Sequence, residues 1–191
     1  SMNNNVSNGT KTRKEVVFES TKKLVSDLLQ DNTNLKISIV SFSTNSDMTK
    51  EATIEDAQLV SGLTNDATAL NSAIDAIVTD GPRTDLQSGL TLGLQQFTTE
   101  DNNKYMIVLT DGVPNVAINQ NNPYYSDAVI SQTKTALTNI ANSNVKLYTM
   151  LTGINNPEQV ADTKAFRGVI NEIFGTESEP TAGTFYYITD S

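Results

Sequence analysis

The 191-residue chain has no cysteine and no histidine. Without cysteine there can be no disulfide framework, zinc–thiolate or iron–sulfur site, and no thiol nucleophile. Without histidine there is no Ser-His-Asp triad, no His-rich metal site and no imidazole general base. Long apolar runs are also missing. The longest, Tyr105-Met106-Ile107-Val108-Leu109, falls far short of the ~20 residues a membrane-spanning helix needs. Cations are scarce: 13 Lys plus Arg stand against 22 Asp plus Glu, for a net charge of −9. Such a surface repels phosphate backbones and anionic lipid, which argues against a nucleic-acid partner. No internal repeat or heptad array occurs, so neither a solenoid nor a coiled coil is expected.

What remains is enough for one domain over residues 1–191, at about 150 residues per domain. A chain of this length buries roughly 70% of its unfolded surface and needs no covalent staple. Threonine (25) and asparagine (21) are abundant, while a hydrophobic content of 37% keeps the chain globular rather than disordered. An acidic, Thr/Asn-rich chain without cysteine suits a bacterial cell-surface or secreted protein. Ser1-Met2 reads either as native sequence or as a remnant of cloning.

Helical and extended patterns alternate along the chain. Residues 12–30 place Val17, Leu24, Val25, Leu28 and Leu29 at a 3.6-residue rhythm, with Lys22 and Lys23 facing out. Residues 35–42 form a β-branched, apolar strand pattern, and a weaker extended stretch lies at residues 52–54. Leu70, Ile74 and Ile77 mark a helix over residues 66–78; Leu86, Leu90 and Leu94 mark another over 84–97, with Gly89 and Gly93 on a close-packing face. Residues 105–109 predict a buried interior strand, residues 126–141 a helix capped by Ser126, and residues 145–151 a further strand. A helix over residues 157–174 and a strand near 184–189 complete the chain. The alternation predicts an α/β, three-layer α/β/α Rossmann-like sandwich with a mainly parallel sheet covered on both faces. Ligands of such sheets sit at the carboxyl ends of the strands.

Two loops at that edge carry the polar residues of interest: Gly81-Pro82-Arg83-Thr84-Asp85-Leu86 and Leu109-Thr110-Asp111-Gly112-Val113-Pro114-Asn115. A helix over residues 84–97 runs about 21 Å away from the site at 1.5 Å per residue. The strand over residues 104–111 returns about 23 Å at roughly 3.3 Å per residue. Thr84 and Asp111 therefore end at one level. Each also has an ordinary structural role open to it: Thr84 and Gln87 fit a capping box, and Asp111-Gly112 is a strand-ending turn pair.

The order and wording of these segments resemble the von Willebrand factor type A domain family. Ile37-Ser38-Ile39-Val40-Ser41-Phe42-Ser43 resembles the stretch after that family's first strand, Arg83-Thr84-Asp85-Leu86 its threonine loop, and Val108-Leu109-Thr110-Asp111-Gly112 its fourth-strand aspartate. The resemblance implies a metal-ion-dependent adhesion site: an Asp-x-Ser-x-Ser motif, a threonine and a second aspartate holding Mg²⁺ or Mn²⁺, whose open position takes a partner's carboxylate. It places the first strand and the start of that motif ahead of Ser1. The sheet of residues 1–191 would then lack a central member, leaving two strand edges to be covered. Carried over position by position, the metal ligands are Thr84 and Asp111, with Ser1 either the motif's last serine or a cloning remnant. Two or three such oxygens trap a hydrated Mg²⁺ poorly, so metal binding by these residues alone is expected to be weak or absent. Tyr124 and Tyr125, in the loop after Asp111, either cap a core or grip a partner.

The function these features imply is a binding module, an adhesin-type domain for a protein or extracellular-matrix ligand that offers a carboxylate. An alternative within the same family is an intracellular adaptor of an ATPase or chelatase-type complex. A strand ending in Asp-Gly is also similar to haloacid-dehalogenase-like phosphatases, but Val113 stands where those enzymes need a second carboxylate. The chain is therefore not expected to be an enzyme.

Overall fold

A computed structural model describes residues 2–5, 10–43, 56–79, 81, 83–98, 103–117, 126–152, 157–176 and 183–188. Helix α1 (Arg13–Asp31) starts at a reciprocal capping box: Glu15 N–H donates to Thr12 Oγ1 at 3.2 Å, and Thr12 N–H donates to the Glu15 carboxylate at 2.7 Å. Strand β1 (Ile37–Phe42) follows the turn after α1 and pairs antiparallel with β2 (Ala57–Thr64). Helix α2 (Ala67–Asp75) is capped by Asp66, whose carboxylate accepts from the N–H groups of Thr68 and Ala69. It stops at Ala76, short of the expected residue 78: the Ala76 N–H turns back to Ser72 and Ala73, and Val78 is left 68% exposed. The expected extended stretch at residues 52–54 lies outside the described residues.

The second half is the parallel part. Strands β3 (Lys104–Thr110), β4 (Val145–Thr152) and β5 (Gly183–Ile188) form a three-stranded parallel sheet in that order. Helices α3 (Leu86–Leu94), α4 (Asp127–Asn142) and α5 (Pro157–Phe174) accompany them. Ser126 caps α4 as expected, its hydroxyl accepting from the Val129 N–H. Asn144, with φ 56°, and Gly175, with φ 84°, take the left-handed conformation just past the ends of α4 and α5.

Two apolar clusters hold these layers. The larger joins Leu86 and Leu90 of α3, Leu137 and Ile140 of α4, and Phe166, Ile170 and Phe174 of α5 to Val108, Leu147 and Leu151 of the parallel sheet. The smaller joins Val25 of α1 to Leu70 and Ile74 of α2, against Ile37 and Ile39 of β1. Phe42 of β1 instead packs with the larger cluster, under α3. Helices thus lie on both sides of β1, the three-layer arrangement that the alternating pattern predicts.

The sheet departs from expectation in one respect. Residues 105–109 do not form a buried interior strand: β3 is the edge of its sheet, and Tyr105 and Ile107 are 47% and 40% exposed. No ladder joins β1 to β3 among the described residues; the strands form a two-stranded antiparallel and a three-stranded parallel sheet. Between them runs a cavity of about 670 Å³, lined along its length by residues 35–43 on one side and 105–111 on the other. Among the described residues no strand lies between β1 and β3, so the two strand edges face each other across a gap.

Candidate functional site

The amino end of α3 and the carboxyl end of β3 meet, as the element lengths require. A Cβ added at Gly112 would stand 3.0 Å from Thr84 Oγ1, so the strand-ending turn comes close to the hydroxyl and any larger residue would press on it. The two loops are clamped backbone to backbone and side chain to backbone. Thr84 N–H donates to Asn115 Oδ1 at 2.8 Å, and Asn115 N–H donates to the Thr84 carbonyl at 3.2 Å. Thr110 shapes the turn between them: its hydroxyl donates to the Gly112 carbonyl at 2.8 Å and accepts from the Gly112 N–H at 3.3 Å.

Thr84 is not the cap of α3. That role belongs to Asp85, whose Oδ1 accepts from the Ser88 N–H at 3.0 Å while Oδ2 accepts from the Ser88 hydroxyl at 2.6 Å. The helix therefore begins at Leu86, two residues later than the expected start at residue 84. Asp85 prevails because its carboxylate is fully buried and must find donors, and Ser88 supplies two. Burial pushes the Asp85 carboxyl up to about 6 from an ordinary 3.8; the Ser88 hydrogen bonds pull against that rise, and the Asp56 charge adds to it. The Thr84 hydroxyl is thereby released from capping.

Asp111 Oδ2 is buried and has no hydrogen-bond partner among the described residues. An orphaned carboxylate oxygen is costly unless a cation or a donor meets it. The donor set around it is oxygen only, which suits Mg²⁺ or Mn²⁺ in kind. It is short in number, because no cluster of three or more Asp or Glu that could hold a metal occurs among the described residues. Ser1, Tyr124 and Tyr125, the other expected site residues, lie outside the described residues. Asp85, Ser88 and Asn115 were not singled out by sequence reasoning. Asn115 sits in the quoted loop, but nothing in spacing alone shows that it holds Thr84.

A parallel α/β domain with a polar site at the carboxyl edge of its sheet belongs to the broad class of doubly wound ligand-binding folds. The sequence profile of the von Willebrand factor type A domain matches residues 7–191, and the chain belongs to that family. Among solved structures, the VWA domain of SpRpn10 superposes with a TM-score of 0.62 at 13% identity, covering 100% of this chain and 82% of that one. The pilus adhesin SpaC from Lactobacillus rhamnosus GG superposes with a TM-score of 0.67 at 16% identity, over 91% of this chain. The match spans 26% of the adhesin's own length. No curated protein sequence matches significantly. At these identities the structural likeness shows the fold.

Proposed function

We propose that this domain is a protein-binding module that takes its partner through a divalent cation, Mg²⁺ or Mn²⁺, at the carboxyl edge of the sheet. The observation that carries the reading is the Asp111 Oδ2, buried and without a partner among the described residues, on the turn whose Gly112 approaches the Thr84 hydroxyl, which does not cap α3. Asp111 supplies the charge, Thr84 a neutral oxygen, and Asn115 holds the Thr84 backbone in place. The ion supplies a Lewis-acidic position for a partner's carboxylate. Ser1, where native, adds a third oxygen, and Tyr124 and Tyr125 offer aromatic contact to the partner.

The partner class is a protein or extracellular-matrix ligand, and the setting is the bacterial surface. The composition and the fold shared with a pilus adhesin support this. The SpRpn10 domain has the same fold, so an adaptor role in an ATPase-type complex is the second reading. Neither needs catalysis, and no acid–base pair can be built here from His or Cys.

Mn²⁺ titration followed by amide NMR tests the site, since the paramagnetic ion broadens nearby signals even when binding is weak. Thr84, Asp111 and Gly112 should broaden first, and Asp111→Ala or Thr84→Ala should abolish this; the metal-free melting temperature should stay nearly unchanged for Thr84→Ala and should not fall for Asp111→Ala, which removes an orphaned buried oxygen. Because Asp85 is the cap, Thr84→Ala removes no helix stabilisation and is as clean a test as Asp111→Ala. Uniform broadening unaffected by either variant would reject the site.

A further inference from the structure

We propose that Thr152, at the carboxyl end of β4, supplies a third oxygen to the divalent cation, beside Asp111 and Thr84. This ligand presupposes the cation site proposed above, and no sequence motif or family resemblance assigns it. The placement comes from strand register. β3 and β4 pair in parallel without a break, from Lys104 with Val145 to Thr110 with Leu151. One step on, Asp111 and Thr152 leave the two strands side by side at the carboxyl edge. Paired residues of such a ladder share a face, and successive ones alternate. Thr152 falls on the half-buried face of β4 with Tyr148 and Met150, and Asp111 continues the matching face of β3 after Ile107 and Leu109.

The second ground is hydrogen bonding. Thr152 Oγ1 is buried and, like Asp111 Oδ2, has no hydrogen-bond partner among the described residues. A donor and an acceptor thus stand on neighbouring strand ends and are not bonded even to each other. A buried hydroxyl left in this state costs stability that valine, at home in the same strand position, does not. Thr110, which pairs with the residue before Thr152, is the contrast: its hydroxyl is used twice within the turn, by the Gly112 carbonyl and N–H. The orphaned oxygens of Asn71, Thr133 and Asn171 lie within α2, α4 and α5 rather than at a strand end. Two oxygens bound to one Mg²⁺ or Mn²⁺ at about 2.1 Å stand about 3–4 Å apart, a separation within reach of side chains on strands about 4.8 Å apart.

The third ground is the donor set. Asp111 and Thr84 alone hold a strongly hydrated ion poorly, and Thr152 brings the set to three. The three oxygens come from separate segments: the turn after β3, the loop ahead of α3 and the end of β4. They leave the remaining positions of an octahedral ion to water and to a partner's carboxylate. Of the three, Asp111 alone is charged, so the bound ion keeps a net positive charge that draws that carboxylate.

The probe is Mn²⁺ alone, titrated into the native protein, Thr152→Val, Thr152→Ser and Asp111→Ala and followed by amide NMR, with melting in chelator run alongside. In the native protein the Thr152 amide should broaden together with those of Thr84, Asp111 and Gly112. Thr152→Val keeps the shape and removes the oxygen; it should raise the Mn²⁺ concentration for half-broadening about tenfold or more, while Thr152→Ser stays within about threefold of native. In chelator the melting temperature of Thr152→Val should not fall, because an orphaned hydroxyl is removed. Native Mn²⁺ affinity in Thr152→Val, with broadening still lost in Asp111→Ala, would overturn the role of Thr152 and leave the cation site standing. A lower melting temperature of Thr152→Val in chelator, restored in Thr152→Ser, would also overturn it, since the hydroxyl would then serve the fold. Uniform broadening that Asp111→Ala leaves unchanged would remove the cation site and Thr152 with it.

Discussion

Asp85 gives the sharpest stability prediction, since it is fully buried, caps α3 and carries a carboxyl raised to about 6 against an ordinary 3.8. A raised folded-state value means that the native protein holds the proton more tightly than the unfolded chain does. The associated stability is fully present below pH 3.8 and is lost as the pH rises through 6. A gap of about two pH units at 1.36 kcal/mol each amounts to about 3 kcal/mol, lost between pH 4 and pH 7. Asp85→Asn removes the titration and keeps an amino-cap residue of equal quality, whose amide can donate to the Ser88 hydroxyl. Urea unfolding of both proteins in chelator, from pH 4 to pH 7.5, isolates the effect, because the other carboxylates cancel in the difference. The variant should gain on the native protein by about 3 kcal/mol across that range. A constant difference would refute the reasoning, as would a native protein that gains on the variant.

Two further substitutions probe the close approaches. Gly89→Ala places a Cβ 2.7 Å from two ring carbons of Phe42, which must shift; an overlap cost of about 1–3 kcal/mol outweighs the helix-propensity gain of about 1. Chemical denaturation should show a net loss, and a stabilised variant would mean that α3 does not press on β1. Gly112→Ala brings a Cβ within 3.0 Å of Thr84 Oγ1. It should weaken Mn²⁺ broadening at Thr84 with little change in melting temperature; unchanged broadening would place the ion away from that hydroxyl.

Which parts of this molecule were legible in the sequence follows from where the apolar pattern is clean. Helices α4 and α5 and strand β4 fell close to their expected bounds because each buries a regular face in the larger cluster. Strand β2 was missed. It lies at the outer edge of its sheet, Leu59 and Leu63 are exposed, and two irregularities in its register with β1 break the period of two. The start of α3 was misplaced because Thr84 and Asp85 are both good caps, and only burial decides between them. The meeting of Thr84 with the Asp111 turn was legible from lengths alone. The clamp by Asn115 was not, since it depends on a side chain turning back across 31 residues of sequence.

The cavity between β1 and β3, a slot along their facing edges, and the candidate site are connected through α3. That helix touches both sheets, with Gly89 against Phe42 of β1 and Gly93 against Met106 of β3. Its first residues carry Asp85 and, just ahead, Thr84. Arg83, Thr84, Thr110 and Asp111 line one end of the slot. Whatever fixes the spacing of β1 and β3 therefore fixes how α3 lies across them, and with it the position of the Thr84 hydroxyl relative to the Asp111 carboxylate. Cation affinity should then depend on what fills the slot, even for an occupant that contributes no oxygen to the ion. The sign follows from preorganisation: two ligands held at a fixed separation lose less freedom on binding than two carried by sheets that can move apart.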